Sequence, residues 1–328
     1  MPVPLSPRRQ DTIIPANINK TKNNRKMKKL LLIAVLATAS LTAAQAQLLY
    51  KISGKDLQKP SYVIGTHHLA NVGFVEKITG VKDALTETEQ VYGEVVWDHM
   101  MNPDSLKVLQ KAMMLPDGQT LKTLLTDEQY KKLDGFLTKY MGVGLKSPQV
   151  EAQMGSMSPA ALTSQLQVLL FLQNHMGEFD PSSTFDQYFQ AQAKKNNEPV
   201  GGLETLSFQI GVLYQSASPK RQAEQLMCLI DNEQFYMKML DNMTDAFYKQ
   251  DLDGLKKVMD EKLASSCDST PEEEAALIDN RNADWAAKMP AIMSDKPTFF
   301  AVGAGHLPGE KGLLRLLTDA GYTVEAVQ

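Results

Sequence analysis

The chain has 328 residues, with 34 Lys and Arg against 38 Asp and Glu, which gives a net charge of −4. Residues 1–46 carry eight Lys or Arg and one Asp, a net charge of +7, so that residues 47–328 are left with −11. An acidic protein of this kind is poorly suited to binding nucleic acid or anionic lipid, and we predict no nucleic-acid partner. The length of the acidic part is sufficient for one large domain or two small ones.

The first predicted element is a signal peptide over residues 27–46. A charged start precedes an apolar run over residues 30–44, and Ala44-Gln45-Ala46 supplies the small residues of a cleavage site. The apolar run is shorter than the about 20 residues that a membrane span needs. We therefore predict an exported bacterial protein, periplasmic or extracellular, with no stable membrane span after signal cleavage.

Residues 1–26 are basic and lack apolar periodicity. They are either a cytoplasmic extension or a stretch upstream of the start that the cell uses. We favour the second interpretation and take residues 47–328 as the folded chain.

The folded chain opens with a β–β–α–β pattern. Strands are predicted over residues 48–52 and 61–66, an amphipathic helix over 74–90, and a third strand over 90–96. Helical patterns then dominate from residue 102 to about residue 290.

The chain closes with a strand over residues 298–303, a helix over 309–320 and a strand over 322–327. These elements predict an α/β fold in which the N- and C-terminal segments build a central sheet. A large helical insertion over about residues 102–290 separates them. The insertion contains Cys228 and Cys267, and an even cysteine count in an exported chain favours a disulfide over two buried thiols.

Two Gly-x-x-His segments follow predicted strands in opposite halves of the chain: Gly65-Thr66-His67-His68 and Gly303-Ala304-Gly305-His306. Glycine lets the backbone leave the sheet, and the histidine then lies at the carboxyl end of the strand, where open α/β sheets build their sites. Neighbours on an extended segment face opposite ways, so only one of His67 and His68 can share a site with His306. We select His68, the last residue of its segment.

Glu94 is the candidate carboxylate for the same site. It lies in an apolar strand, where a buried charge costs several kcal/mol unless it is paired or coordinated. The alternative is a strand-edge glutamate that faces water. Two histidines and one carboxylate are a plausible ligand set for Zn, Mn, Co or Fe, and such a metal lowers the pKa of bound water.

Two further charged residues are candidates. Glu204 either lies beside the N-cap of the next helix or reaches the cleft with Gln209 behind it. Arg281 shares a helix face with Trp285 and offers a planar fork for a carboxylate or an oxyanion, the alternative being a surface salt bridge.

The order and spacing of these pieces resemble the TraB/GumN family, which includes the Tiki metalloproteases. The resemblance covers essentially residues 47–328 and is carried by residues 60–69, Glu94, residues 202–205 with Gln209, Arg281-Asn282, residues 302–313 and residues 321–324. It implies an α/β core with a helical insertion, related to the erythromycin-esterase and ChaN-like folds. It also implies a divalent metal, with His68, His306 and Glu94 serving the metal and catalysis.

The chain departs from the family pattern at three places. His67 stands where an apolar residue is common, Ala70-Asn71 replaces a Gly-Asp pair, and Val96 replaces an acid.

The favoured prediction is a secreted, metal-dependent hydrolase of the peptidase class, with Mn, Co or Zn as the metal and a peptide or small molecule as the substrate. Glu94 would act as ligand or general base, Arg281 would stabilise the oxyanion, and Glu204 is a third catalytic candidate. The alternative is an exported protein that binds a peptide or haem in the same cleft without turnover. A third interpretation gives the histidines only core hydrogen bonds. The oligomeric state is left open.

Overall fold

The sheet of this protein joins strands from both ends of the chain, as the computed structural model of residues 47–328 shows. The predicted signal peptide over residues 27–46 and the stretch over residues 1–26 lie outside the described residues. The described part has the predicted α/β class, with a mixed six-stranded sheet among many helices.

The strand order in the sheet is β4-β3-β5-β2-β1-β6. The strands are β1 (Leu49–Ser53), β2 (Ser61–Thr66), β3 (Gln90–Gly93), β4 (Val200–Gly202), β5 (Thr298–Gly303) and β6 (Thr323–Ala326). The first four in the spatial order are parallel, whereas β1 runs antiparallel to both β2 and β6. Because β5 lies between β3 and β2, the carboxyl ends of strands from both halves of the chain meet at one edge.

Helices fill the sequence between the strands. They are α1 (Val81–Glu87), α2 (Trp97–Met100), α3 (Pro103–Ala112), α4 (Leu121–Leu124), α5 (Asp127–Met141), α6 (Pro148–Met154), α7 (Pro159–His175), α8 (Phe185–Lys195), α9 (Leu206–Gln215), α10 (Pro219–Asp231), α11 (Glu233–Tyr248), α12 (Leu252–Met259), α13 (Pro271–Glu274), α14 (Asn280–Asp295) and α15 (Leu313–Asp319). Short 3₁₀ turns cover Val72–Lys77 and Ala304–His306, and a π-helical segment covers Ala275–Asp279.

Two separate hydrophobic clusters stabilise the fold. One packs helices against the sheet and includes Ile64, Phe189 and Phe299. The other lies among the helices of the insertion and includes Leu133, Leu162 and Leu226 without a strand residue. The site described below lies at the carboxyl edge of the first cluster's sheet.

Three sequence expectations need correction. The segment over about residues 102–290, predicted as a helical insertion, contributes β4 to the edge of the sheet, so the N- and C-terminal segments do not build the sheet alone. The helix predicted over residues 74–90 is a 3₁₀ turn followed by α1, because Gly80 adopts the left-handed conformation (φ 79°) and interrupts it. The strand predicted over residues 90–96 ends at Gly93, so Glu94 is the first residue after the strand rather than a residue within it.

The predicted disulfide between Cys228 and Cys267 is present. It ties α10 to the loop that follows α12. None of the helices in the described part of the chain combines the length and the apolar character of a membrane span.

Candidate active site

Glu94 and His306 meet where β3 and β5 end. Because these strands are parallel neighbours, the residue after β3 lies beside the turn that follows β5. The backbone N–H of Gly303 donates to Glu94 Oε1 at 2.9 Å, and His306 Nε2 lies 3.9 Å from the same oxygen. Both side chains are buried, which favours the paired interpretation of Glu94 over a strand-edge residue in water.

Arg281 neutralises this buried centre. Its Nη2 donates to Glu94 Oε2 and to Glu204 Oε1, both at 2.7 Å, and its Nε donates to Glu204 Oε2 at 3.0 Å. Its Nη1 donates to the carbonyl of Leu277 in the π-helical segment and lies 3.1 Å from His306 Nε2. All five N–H groups of the guanidinium are therefore used within the protein.

Arg281 is only 4% exposed, which rules out a surface salt bridge. Burial alone would lower its pKa, but hydrogen bonds and charges from the two glutamates raise the pKa above its usual value. Two carboxylates on one guanidinium leave the buried cluster with a net negative charge.

Glu204 reaches the cluster rather than capping a helix. Thr205 is the N-cap of α9, and its side chain accepts from the N–H of Phe208. The carboxylate of Glu204 accepts from Arg281 and from Trp285 Nε1 at 3.1 Å. Gln209 Nε2 bridges Glu94 at 2.9 Å and Glu204 at 3.1 Å, so the two carboxylates share their donors.

His306 is held in one orientation by Asn282. The amide nitrogen of Asn282 donates to the carbonyls of His306 and Lys311, so its oxygen must accept from His306 Nδ1, at 2.7 Å. The ring also packs against Trp285, with 4.5 Å between the ring centroids. Burial lowers the pKa of His306 to about 4. The imidazole is thus neutral at neutral pH, with its Nε2 accepting from Arg281.

His68 has the opposite environment. Its Nδ1 lies 2.7 Å from Asp186 Oδ2, and Thr66 donates to the other oxygen of Asp186 at 3.2 Å. The carboxylate of Asp186 raises the pKa of His68 to about 9. The side chain of His68 is 68% exposed, and no hydrogen bond joins its Nε2 to another described residue.

Burial would raise the pKa of Glu94. The cation of Arg281 and the protonated ring of His68 outweigh burial and hold the pKa below its usual value. His67 turns away from this site. Its Nδ1 accepts from the N–H of Leu69, its ring packs 5.2 Å from that of Phe247, and burial lowers its pKa to about 4.

A cavity of about 360 Å³ opens beside the charged centre. The charged residues that line it come from different parts of the chain: His68 follows β2, Glu94 follows β3, and Asp186 lies in the first turn of α8. The other lining residues are Leu69, Gly93, Val95, Trp97, Met100, Phe179, Pro181, Thr184, Gln190 and Gln209. Of the two histidine segments, only the first lines this cavity, through His68, whereas the second contacts Glu94 from behind the cavity wall.

The arrangement does not form a ligand shell for a metal ion. Within residues 47–328, no group of three or more His, Cys, Asp or Glu side chains is placed to hold one. Glu94 and His306 are neighbours, but Arg281 donates to both of them. A metal site at His68, His306 and Glu94 stays a prediction, and the geometry supports no step through such an ion.

The sequence model of the TraB/PrgY/gumN family matches residues 48–326. The chain belongs to the TraB/PrgY/gumN family. Every residue of the site described above lies within the matched stretch, so the site is part of the family domain.

Three curated relatives of this TraB/PrgY/gumN protein are named metalloproteases. "Metalloprotease TIKI homolog" of Nematostella vectensis is 22% identical over 314 residues, covering 82% of this chain. "Metalloprotease TIKI1" and "Metalloprotease TIKI2" of Danio rerio are 24% and 25% identical, and each match covers 81% of this chain. The matches span 65%, 60% and 58% of the relatives' own lengths.

Sequence reasoning missed Asp186, the partner of His68. Asp186 lies 118 positions from His68 in the first turn of a helix. An acid at that place is typical of any helix start, so the residue type carried no functional signal. Asn282 was part of the motif that identified the family, but only the structure shows that it orients His306.

Proposed function

We propose that this TraB/PrgY/gumN protein is an exported hydrolase of the metallopeptidase class that acts on peptides. The observation that carries the proposal is the convergence of His68 and Glu94 on one cavity, at the carboxyl ends of β2 and β3, with their charges held by fixed partners. The names of the relatives support the peptidase class. The disulfide and the predicted signal peptide support export.

In the proposed reaction His68 is the residue that acts on the substrate. Asp186 holds Nδ1, so Nε2 is directed to the cavity, as in other carboxylate–histidine pairs. The oxygen of the attacking water forms a bond to the carbonyl carbon, and as the C–N bond of the peptide breaks, Nε2 gives its proton to the leaving nitrogen. The proton that the water loses then returns to Nε2, so that His68 is doubly protonated again.

Glu94 has a supporting role in this scheme. Three donors fix its carboxylate, from Gly303, Gln209 and Arg281, and its lowered pKa keeps it ionised. An ionised carboxylate in the cavity wall accepts a hydrogen bond from the attacking water and orients it. This role requires that Glu94 does not move.

Arg281 and Glu204 hold Glu94 in place rather than touching the substrate. An oxyanion could take a hydrogen bond from Arg281 only if one of the five internal bonds were broken. We therefore assign Arg281 and Glu204 to positioning.

The names of the relatives imply a divalent metal, and we propose Mn, Co or Zn as a separate expectation. Admission of an ion between Glu94 and His306 would require Arg281 to leave one of them. Metal dependence is thus tested by itself, by comparing activity after chelation with activity after each metal is added back.

The proposal is tested with the purified protein and a peptide library, with and without each metal. Replacing a general acid typically lowers the rate by about 10²–10⁴, so we expect a loss of this size in kcat for His68→Ala. His99→Ala, an exposed histidine outside the cavity lining, is the matched control. Equal turnover by wild type and a His68→Ala/His306→Ala double variant would disprove the proposal.

A further inference from the structure

The cavity has a charged end, at His68, Glu94 and Asp186, and a wall that is mainly apolar. Six apolar residues line it: Leu69, Val95, Trp97, Met100, Phe179 and Pro181. The polar residues that face it are largely occupied by internal hydrogen bonds, as for Asp186 with His68 and Gln209 with the two glutamates. Apart from His68 Nε2 and the carboxylate of Glu94, what the cavity presents to a ligand is mostly apolar surface. Such a wall favours an apolar group because a polar group would lose its hydrogen bonds to water there.

The size of the cavity limits the ligand. A volume of about 360 Å³ is at the small end of the roughly 300–1,000 Å³ of ligand pockets. It suits one large side chain with its flanking backbone, and it is too small for an extended ligand.

The wall is tied to the same helix that orients His68. Gln190 of α8 accepts from the N–H of Trp97 at 2.8 Å and donates to the carbonyl of Val95 at 2.9 Å. Asp186 lies four residues earlier, and residues at this spacing share one face of a helix. One face of α8 therefore fixes both the start of α2, which carries Trp97 and Met100, and the ring of His68.

We propose that this cavity is a specificity pocket for one large apolar side chain of a peptide, of the leucine or phenylalanine class, whose neighbouring carbonyl lies at His68. The inference rests on the proposed function for the identity of the ligand as a peptide. The distance between the recognised side chain and the reacting bond is set by α8, because that helix holds both ends of the pocket.

Binding is tested without turnover by tryptophan fluorescence of the whole protein. The chain has two tryptophans. Trp97 lines the cavity, whereas Trp285 is fully buried outside it. N-acetyl amides of glycine, leucine and phenylalanine are titrated, and the Trp97→Phe variant assigns the signal. We expect leucine and phenylalanine amides to bind about 10- to 100-fold more tightly than the glycine amide, from the apolar area that they bury. Equal binding of the three amides, or tighter binding of decanoate than of the leucine amide, overturns the pocket.

Turnover is tested with peptides that differ only at one side chain. We expect Phe179→Ala to lower the preference for leucine over glycine in kcat/KM by about 10-fold, and Phe179→Leu to lower it less. Leu213→Ala removes a leucine that is 44% exposed and lies outside the cavity, and it leaves the preference unchanged. A side-chain preference in binding without any turnover upholds the pocket and contradicts the hydrolase function. Turnover without a side-chain preference does the reverse.

Discussion

The two Gly-x-x-His segments share one sequence pattern and follow adjacent strands of the sheet. Their histidines nevertheless differ in opposite directions in exposure and in pKa. β2 and β5 are parallel neighbours, with Thr66 opposite Gly303. His306, at the end of β5, is 5% exposed and has its pKa lowered to about 4. His68, after β2, is 68% exposed and has its pKa raised to about 9.

The difference comes from partners that neither segment contains. His306 is buried between Trp285, the amide of Asn282 and the cation of Arg281, all on α14. His68 faces the carboxylate of Asp186 on α8. A motif therefore determines where a histidine lies, whereas the helix packed against it determines its charge and its role.

The largest expected effect is a loss of stability when the buried charges around His306 are disturbed. Arg281→Met leaves Glu94 and Glu204 buried without their cation, and breaking a buried ion pair costs about 3–5 kcal/mol. Urea denaturation measures the loss in the free energy of unfolding. Arg315→Met, which removes a 51% exposed arginine from its pair with Asp319, should cost far less, because solvent screens that pair. Similar losses for the two variants would mean that the centre is not a buried ion pair.

The next largest difference is expected between the alanine variants of the two histidines, in the stability that each variant loses. His306→Ala removes a buried ring, a hydrogen bond from Arg281 and one to Asn282, and we expect a loss of about 2–4 kcal/mol in stability. His68→Ala removes an exposed ring and should cost about 1 kcal/mol or less, while it lowers activity strongly. Thermal and urea unfolding compare the two variants. If His68→Ala proved the more destabilising, the contrast would be reversed.

The first glycines of the two segments, Gly65 and Gly303, should also differ in the stability that is lost when each is replaced by alanine. A Cβ on Gly65 would lie 2.9 Å from Ala304 Cβ and 3.0 Å from Ala304 Cα, so the first segment packs directly on the turn of the second. Gly65→Ala should therefore cost about 1–3 kcal/mol. A Cβ on Gly303 would lie 3.2 Å from Glu94 Oε1 and 3.5 Å from the ring of His306, and we expect Gly303→Ala to cost less. Urea unfolding of the two variants checks the order, and an equal cost would argue against the close packing at Gly65.

Stability should also depend on pH, and the two histidines act on it in opposite directions. The folded-state pKa of His68 lies above the usual 6.5, so its contribution is complete below about pH 6.5 and is lost as the pH rises through about 9. The folded-state pKa of His306 is depressed, so its contribution is complete above about pH 6.5 and is lost as the pH falls through about 4.

Ring-nitrogen NMR during a pH titration measures both groups directly. We expect His68 to stay doubly protonated at pH 7 and His306 to stay neutral there, with its proton on Nδ1. Asp186→Asn should move the pKa of His68 back towards its usual value, and Asp180→Asn, an exposed aspartate that bonds to Ser182, should not. A His68 that titrated alike in both variants would show that Asp186 does not set its charge.

The ends of β2 and β5 and the buried carboxylate were predictable because their signals are local. The apolar run before Gly303 predicts β5 with the observed bounds, and the run before Thr66 does the same for β2. The spacing of four residues between Arg281 and Trp285 predicted that both lie on one helix face. The structure confirms this, with 4.7 Å between the guanidinium carbon and the centroid of the ring.

What the sequence could not provide is the identity of long-range partners. Nothing local to Asp186 distinguishes it from other helix-start acids, and its pairing with His68 depends on how α8 packs against the sheet. That every N–H group of Arg281 is hydrogen-bonded within the protein was likewise unpredictable. Their acceptors are a carbonyl of the π-helical segment and side chains from three other parts of the chain.

The place of β5 has a consequence for how the chain folds during synthesis. This strand is fifth in sequence but lies between β2 and β3, which do not pair with each other. A chain that emerges N-terminus first cannot join the two halves of its sheet until residue 303 is available. The helical cluster around Leu133, Leu162 and Leu226 uses only earlier residues, so it can form first. The edge that carries Glu94 and His306 is then assembled in the last tenth of the chain, so a chain that ends before β5 lacks this site.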